Sequence, residues 1–321
     1  MQLLVNARGV QQAYARWCRA QTLCSSWRAP RENSLPGRQW LCTQTSSGEA
    51  QAQEQSGNES PERKTLVVVG GAGYVGSHIA RYAKRCGLSV LCISRSGASS
   101  AQLKDASLDG VAWLRGDALE PESWKYALSG ASGVVSCVGG FGSNEQMRRI
   151  CGDTNVSVAR AAHEAGVPRF VFVSARMYAF QPAFMRGYFE GKKMAEQVAG
   201  ELFGKDATIL RPAFVYGARQ ISIPKVNVSL NVPLQLIGKP LHAFNQTQAA
   251  RAVSKLGGPF ELAFSPPTSV DDLSKCAVLG ATGYLQAQGQ AFTTDAQPPH
   301  RAAPPLILES DDIAHCAKTH A

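Results

Sequence analysis

Short apolar runs alternate with longer amphipathic stretches between residues 65 and 210. The apolar runs are rich in β-branched residues and end near glycine or serine, which is typical of buried strands. The longer stretches repeat apolar residues every three or four positions, which predicts helices. The predicted strands are Thr65–Val69, Leu88–Ser94, Val111–Leu114, Ser132–Val138, Arg169–Ser174 and Ala207–Leu210, and the predicted helices are Tyr74–Arg85, Asn144–Ala165 and Gly187–Phe203.

This alternation predicts how the elements pack. Strands separated by single helices form a parallel sheet with helices on both faces, so we expect an α/β, doubly wound Rossmann fold with its main body in residues 64–216. The pattern weakens after Tyr216, and residues 217–321 are expected to form a smaller substrate or lid region that completes the domain. Within it, residues 284–306 are rich in Gln, Ala and Pro and are predicted to be an insertion loop.

The N-terminal segment differs in composition from the rest. Residues 1–40 contain six arginines, no lysine and one acidic residue, and their apolar residues recur at helical spacing. An arginine-rich, acid-poor amphipathic start is typical of an organelle transit peptide. We expect delivery to the mitochondrion, with the plastid as the alternative and a disordered basic tail as the third interpretation. Residues 41–63 are largely polar and are predicted to be a disordered linker.

Composition excludes several classes of protein. The formal charge is +9, but the first 40 residues carry much of that excess, so the body is only mildly basic and a nucleic-acid partner is not expected. The nine cysteines show no C-x-x-C spacing and the six histidines no H-E-x-x-H motif, so we expect a reducing compartment and no metal site. The sequence contains no run of 18 apolar residues, so no membrane-spanning helix is expected.

The strongest motif is a glycine-rich turn between the first strand and the first helix. Gly70, Gly73 and Gly76 are spaced G-x-x-G-x-x-G, and Tyr74 and Val75 open the helix. Glycine there permits a tight turn and the close approach of a dinucleotide's pyrophosphate to the backbone, while the helix N-terminus supplies free N–H groups. The motif predicts a dinucleotide site, and the alternative is an ordinary glycine turn.

Residues after the second and third strands bear on which dinucleotide binds. An NAD-preferring site usually has a carboxylate at the end of the second strand, whereas this chain has Ser94 and Arg95. A guanidinium can bind a 2′-phosphate with two hydrogen bonds, so NADPH is predicted over NADH, the alternative being that Arg95 is simply solvated. Asp117 could accept a hydrogen bond from the adenine amino group or cap the next helix.

A tyrosine and a lysine four residues apart supply the candidate chemistry. Tyr188 and Lys192 would share one face of the helix, with Glu196 one further turn along. A cation close to the phenol would lower the tyrosine pKa and make it a general acid/base. The alternative is an ordinary exposed helix face.

These motifs together resemble the extended and atypical short-chain dehydrogenase/reductase family over about residues 65–280. The resemblance rests on the glycine loop, Gly116-Asp117, Tyr188 with Lys192, and the run Leu210–Gly217. It implies that Tyr188, Lys192 and Ser174 are catalytic and that Val138 and Lys192 also contact the cofactor. The segments Ser136–Gly142 and Pro266–Val270 are similar to a mitochondrial branch linked to coenzyme Q biosynthesis and, more distantly, to a nucleotide-binding accessory subunit of respiratory complex I.

The chain departs from the family pattern in its catalytic half. Ser174 is followed by Ala175 and Arg176, so the substrate-orienting hydroxyl must be Ser174 itself or be missing, and the exit of the fourth strand is unusually rich in glycine.

Three functions therefore remain open. The first is an NADPH-dependent oxidoreductase connected with ubiquinone biosynthesis. The second is a non-catalytic nucleotide-binding subunit of a mitochondrial assembly, and the third is an RNA-binding relative. Residues 217–260 lack acidic residues, which suits a lipid-like or phenolic substrate or peripheral contact with a membrane, although a solvated basic helix face is the plainer interpretation.

Overall fold

The computed structural model describes residues 64–223, 228–233, 265–289 and 303–320. All of them belong to one compact unit, Arg63–Ala321. The predicted transit peptide and linker, most of the acid-free segment 217–260 and part of the predicted insertion loop lie outside the described residues.

The strands of the described residues are β1 Thr65–Val69, β2 Ser89–Ser94, β3 Ala112–Arg115, β4 Ala131–Ser136, β5 Phe170–Val173, β6 Ala207–Arg211, β7 Val215–Tyr216, β8 Ala218–Ile223, β9 Val228–Pro233, β10 Thr268–Ser269 and β11 Leu306–Glu309. Seven of them form the central parallel sheet, in the order β11-β6-β5-β4-β1-β2-β3. A second parallel pair joins β10 to β7, and β8 with β9 forms an antiparallel hairpin.

Helices connect these strands, with one turn of π-helix among them. The helices are α1 Tyr74–Arg85, α2 Ser100–Leu103, α3 Asn144–Arg148, α4 Thr154–Glu164, α5 Arg186–Phe203, α6 Val270–Ala281, α7 Tyr284–Gly289 and α8 Ser310–Thr319. Short 3₁₀ turns lie at Ala106–Leu108, Pro121–Ser123, Lys125–Leu128, Ala183–Met185 and Gly204–Asp206. The π-helical turn Arg149–Asp153 joins α3 to α4, so the predicted helix Asn144–Ala165 forms with a widened turn inside it.

The core has two halves, one on each face of the sheet. In β1, Val67 and Val69 point into the half that contains α4 and α5, while Leu66 and Val68 point into the half that contains α1, α6 and α8. Successive side chains of a strand point to opposite faces, so a sheet covered on both sides needs continuous apolar runs. This arrangement confirms the predicted doubly wound α/β fold.

Part of the C-terminal region joins the same sheet. β11 pairs in parallel with β6, from Leu306 beside Thr208 to Glu309 beside Arg211. Within the predicted insertion loop 284–306 the structure forms α7 and the first residue of β11, so the loop prediction is wrong at both ends. Within the described ranges, no helix is both long and apolar enough to cross a bilayer.

Candidate functional site

The glycine-rich turn wraps tightly between β1 and α1. Gly70 has φ 88°, a conformation that favours glycine, and its N–H donates to the Ile93 carbonyl at 2.8 Å. The Gly73 N–H donates to the Gly70 carbonyl at 2.9 Å. A Cβ on Gly76 would overlap Gly70 O and lie 2.8 Å from Gly71 Cα, so only glycine fits there.

A cleft of about 900 Å³ opens at the carboxyl ends of the parallel strands. This is where open α/β sheets bind ligands. Of the residues predicted to contact the cofactor, Tyr74, Val75 and Gly76 form the first turn of α1, and neither they nor Lys192 are part of its lining. Those that do line it are Gly70, Gly73, Ser94, Arg95, Asp117 and Val138.

Three guanidinium groups line this cleft. Arg115, the last residue of β3, lies beside Ser94 in the sheet register, and its Nε donates to the Arg95 carbonyl at 3.0 Å. Arg149, from the π-helical turn, lines the cleft as well, and among the described residues Asp117 is the single carboxylate in the lining. Ser94 Oγ donates to the Gly97 carbonyl at 2.9 Å and so holds the turn that carries Arg95. The net positive charge suits the phosphates of a dinucleotide.

Sequence analysis did not single out Arg115 or Arg149. The parallel register of β2 and β3 was the available signal for Arg115, because strands that end together present their last residues at the same edge of the sheet. Arg149 had no such signal, since a one-turn π-helix within a helical pattern leaves no mark in the hydrophobic periodicity.

The predicted helix-capping role of Asp117 is wrong, because the N-cap of the 3₁₀ helix that begins at Pro121 is Glu120. Asp117 Oδ1 instead accepts a hydrogen bond from the Leu119 N–H at 3.0 Å, which closes the turn ahead of that helix. The contact with the adenine amino group stays a prediction.

Lys192 is a buried cation. Its side chain is 3% exposed, and Nζ donates to the carbonyls of Val173 at 2.7 Å and Val138 at 3.3 Å, at the ends of two neighbouring strands. Nζ also lies 4.7 Å from the centre of the Phe172 ring. Burial lowers the pKa of this ammonium group.

Tyr188 lies one helical turn before Lys192, but its surroundings differ from those predicted. Its ring stacks on that of Phe141 at 5.6 Å and meets Phe189 edge-on at 5.3 Å. Burial raises the pKa of the phenol, so the expectation that Lys192 lowers it is wrong in this structure. The ammonium group of Lys192 donates instead to the two strand-end carbonyls.

Ser174 follows the last residue of β5. Its N–H donates to the Leu210 carbonyl at 2.8 Å, and its side chain is 4% exposed. Within the described part of the chain its Oγ has no hydrogen-bond partner. A buried hydroxyl without a partner is costly, and the cost is relieved when a ligand oxygen pairs with it.

Asn155 is a functional candidate that sequence analysis missed. Its amide nitrogen donates to the carbonyls of Cys151 at 2.8 Å and Val138 at 3.1 Å, and its Oδ1 accepts from Ser136 Oγ at 2.6 Å. Val138 O therefore accepts from both Asn155 and Lys192. The available signal was a polar residue on an otherwise apolar helix face.

Glu196 does not extend the Tyr188–Lys192 pair. Its carboxylate accepts from Arg211, with Nη2 at 2.6 Å and Nε at 3.0 Å, and Arg211 also reaches Glu309 at 3.3 Å. Among the described residues, no group of three His, Cys, Asp or Glu side chains could hold a metal ion.

Comparisons with known proteins agree with this geometry. A family described as NAD(P)H-binding matches residues 70–226. An uncharacterized chloroplastic protein of Arabidopsis thaliana is 38% identical over 216 residues, which are 66% of this chain and 70% of that one. Photosystem II assembly factor Ycf39 of Synechocystis is 30% identical over 110 residues, 34% of this chain and 33% of its own.

Two further similarities are lower in identity. Mitochondrial protein FMP52-2 of Scheffersomyces stipitis is 28% identical over 159 residues, 48% of this chain and 67% of that one. The structure of an NAD-bound UDP-glucose 4-epimerase from Brucella ovis is 16% identical, covers 77% of both chains and has a TM-score of 0.48. On the family match and the Arabidopsis relative, the chain belongs to the NAD(P)H-binding family of Rossmann-type proteins.

Proposed function

We propose that the chain is an NADPH-dependent oxidoreductase in which Tyr188 is the general acid/base, Lys192 a cofactor-binding and positioning cation, and Ser174 the substrate-orienting hydroxyl. The observation that carries this proposal is the buried ammonium group of Lys192 at the ends of β4 and β5, one helical turn from Tyr188.

The burial of the Lys192 ammonium group costs free energy. Glu196, the carboxylate one turn further along α5, forms its salt bridge with Arg211 and not with Lys192, so it does not offset this cost by direct pairing. An apolar side chain of similar length would fill the same space at lower cost. Ionisable groups with perturbed pKa values cluster at functional sites, so the position of Lys192 favours a role in ligand binding or proton transfer.

The residues present fit a nicotinamide dinucleotide. Gly76 leaves no room for a Cβ and Gly70 has a φ of 88°, which disfavours one, whereas a Cβ on Gly73 would have only Gly70 O within 4 Å, so the backbone at Gly73 is open to a ligand's pyrophosphate. Ser94 is neutral and Arg95 and Arg115 are cationic, which supports NADPH over NADH. The dinucleotide, when bound, supplies the hydride.

The chain's own groups would handle the proton. Because burial raises the pKa of Tyr188, its phenol is protonated at neutral pH and can donate to the oxygen of a substrate carbonyl. The unpartnered hydroxyl of Ser174 can donate a second hydrogen bond to that oxygen. This arrangement favours carbonyl reduction.

Exposed aromatic rings suggest the substrate class. Phe141, stacked on Tyr188, is 77% exposed, and Phe184, one turn before Tyr188, is 73% exposed. Rings of this kind favour a planar, apolar substrate such as a phenol or quinone. Precursors of ubiquinone belong to this class, and the resemblance to the coenzyme Q branch makes them the first to test.

Calorimetric titration of the full chain with NADPH and NADH tests the cofactor assignment. We expect Arg95→Ala and Arg115→Ala each to weaken NADPH binding by about ten-fold or more, or roughly 1.4 kcal/mol, and to change NADH binding little. Lys125→Ala is the matched control, because Lys125 pairs with Glu122 and does not line the cleft. Equal losses for both nucleotides would refute the NADPH preference.

The second candidate function is a nucleotide-binding subunit that acts in assembly. One observation favours it: Lys192 contacts backbone carbonyls rather than the phenol of Tyr188. The name of Ycf39 supports it as well. Complementation of a deletion strain separates the two functions. A Tyr188→Phe variant that complements fully while Gly73→Ala does not supports assembly, and failure of both, with NADPH binding retained by Tyr188→Phe, supports catalysis.

We propose an organelle address for the N-terminal segment, with the plastid favoured. A chloroplastic relative is 38% identical over 70% of its length, whereas a mitochondrial relative is 28% identical over 67% of its length. The full chain fused to a fluorescent protein in plant protoplasts tests this. Fluorescence confined to mitochondria would restore the first expectation, and cytosolic fluorescence would refute both addresses.

A further inference from the structure

Two cysteines face each other across α6 and α8, on residues that the proposed oxidoreductase site does not use. Cys276 is fully buried on α6, and Cys316 on α8 is partly exposed. The two thiols lie close enough for each to shift the pKa of the other. Both are reduced in this structure.

Contacts on either side of Cys316 fix the two helices in register. Cys276 Sγ lies 3.4 Å from the carbonyl oxygen of Ile313, one turn before Cys316. Lys275 Nζ donates at 2.7 Å to the carbonyl of Ala317, one residue after it. Neighbouring residues on α6 thus bracket Cys316, which keeps the two sulfur atoms together.

The residues next to the cysteines allow the helix backbones to approach closely. Ala277 and Ala317, which follow Cys276 and Cys316, are both buried. A disulfide requires Cα atoms within about 7 Å, and small side chains between helices permit such a separation.

The two thiols differ in reactivity. The neighbouring Cys276 thiol lowers the pKa of Cys316, and the Lys275 cation lowers it further. The Cys316 thiol, together with burial, raises the pKa of Cys276. The thiolate is the nucleophile in disulfide exchange, so the partly exposed Cys316 is the residue that would attack first.

We propose that Cys276 and Cys316 are a modification site that forms a reversible disulfide by exchange with an external disulfide, either a small one such as glutathione disulfide or an oxidised protein dithiol. The Cys316 thiolate attacks one sulfur of the external disulfide and releases the first thiol. Cys276 then attacks Cys316 Sγ and releases the second thiol, which takes up the Cys276 proton. The external disulfide is reduced to two thiols, and the cysteine pair is oxidised.

Burial of Cys276 suits the second step. Once Cys316 carries the mixed disulfide, the attack by Cys276 is intramolecular and needs no access to solvent. Cys86, at the end of α1, is exposed and is the alternative partner to exclude. It hydrogen-bonds Tyr82, which lies close enough to Cys276 to interact electrostatically.

Peptide mapping of the full chain tests the site. The protein is incubated with glutathione disulfide, denatured in the presence of N-ethylmaleimide so that all free thiols are blocked, and digested with trypsin without reduction. Arg301 lies between the two cysteines, so they fall in different peptides unless a disulfide joins them. We expect a Cys276–Cys316 linked pair that dithiothreitol removes.

Variants provide the controls. Cys86→Ser should keep the linked pair, and Cys316→Ser should lose it. Oxidation should raise the unfolding midpoint in urea of the wild type and of Cys86→Ser but not of Cys316→Ser, because the bond closes a loop of about 40 residues; chain entropy sets an upper limit of several-hundred-fold on the folding equilibrium constant.

Two results would overturn the proposal. One is a map in which all of Cys276 carries N-ethylmaleimide even though the protein was first incubated with glutathione disulfide. The other is a map in which Cys276 is linked only to Cys86 or to glutathione. The wild-type map does not depend on whether any variant folds.

Discussion

Two glycines of the phosphate loop should fail in different ways when each is replaced by alanine. In Gly76→Ala the new methyl group overlaps Gly70 O and lies 2.8 Å from Gly71 Cα and 2.9 Å from Cys137 Sγ. Two of these neighbours are backbone atoms, which cannot rotate away. In Gly73→Ala the methyl group meets only Gly70 O, at 3.1 Å, and φ at this residue is −74°, which alanine adopts freely.

The magnitudes follow from these contacts. Overpacking against backbone atoms at Gly76 costs about 2–3 kcal/mol, the upper part of the usual range, against which a helical alanine regains about 0.5–1 kcal/mol, so the free energy of unfolding should fall by roughly 1–2.5 kcal/mol. At Gly73 the loss of a favourable N-cap residue and the reduced entropy of the unfolded chain nearly cancel, within about 0.5 kcal/mol. Gly73 lines the cleft, so its methyl group should instead weaken NADPH binding about ten-fold or more.

Urea unfolding followed by circular dichroism measures the first quantity, and calorimetric titration with NADPH measures the second. The reasoning is refuted if Gly76→Ala is as stable as the wild type, or if folded Gly73→Ala binds NADPH with unchanged affinity. Gly87→Ala serves as the backbone control. Its φ is 77° and a Cβ there meets no atom within 4 Å, so it should lose stability without any effect on NADPH binding.

Three further predictions concern charged groups. Burial lowers the pKa of Lys192 below its usual 10.5, so the unfolded chain holds more protons than the native one at alkaline pH. The stability of the wild type relative to Lys192→Met should therefore increase as pH rises from neutral toward about 10. Urea unfolding curves of the two proteins that show no such change would contradict this. Arg211→Met leaves the buried carboxylate of Glu196 unpaired and should cost about 3–5 kcal/mol in urea unfolding, and adding Glu196→Met should recover much of that loss. Hydrogen bonds from Ser107 and Arg81 hold the pKa of Asp105 at about 2, against a usual 3.8. The contribution of this carboxylate to stability is therefore complete above about pH 4 and is lost as pH falls toward about 2. Acid unfolding of Asp105→Asn should lack that loss, which is worth roughly 1 kcal/mol after screening at this partly exposed site.

Local patterns predicted the first six strands because each contains a short apolar run, and the strands inside the sheet are covered on both faces. The run Leu66–Val69 is buried throughout, and no alternation was needed to recognise it. β11 escaped prediction because it forms no buried apolar run, and Ile307 within it is 41% exposed. A four-residue strand that follows a segment rich in proline and alanine carries too little periodicity to be recognised.

In the candidate site, too, features encoded by neighbouring residues could be predicted, and features that depend on the fold could not. The glycine loop is encoded within seven consecutive residues, so sequence alone places it between β1 and α1. The environment of Tyr188 depends on Phe141, which lies 47 positions earlier and reaches it only through the fold. A helical i, i+4 spacing brings two side chains to one face but does not determine where each donates its protons. The pKa of Tyr188 was therefore misjudged even though its helix was predicted.

The glycine-rich exit of β4, the main departure from the family pattern, has a structural reason. A Cβ on Gly140 would press on Ile150 at 3.3 Å, and a Cβ on Gly142 would overlap the Gln146 side chain, so small residues let this segment lie against α3 and the π-helical turn. That turn places Asn155 so that it shares the Val138 carbonyl with Lys192. Since Val138 also lines the cleft, a single carbonyl links the glycine-rich exit, the widened helix and the buried cation. The glycine-rich exit of β4 thus lies where the cleft meets the proposed catalytic groups, and it helps to position Lys192.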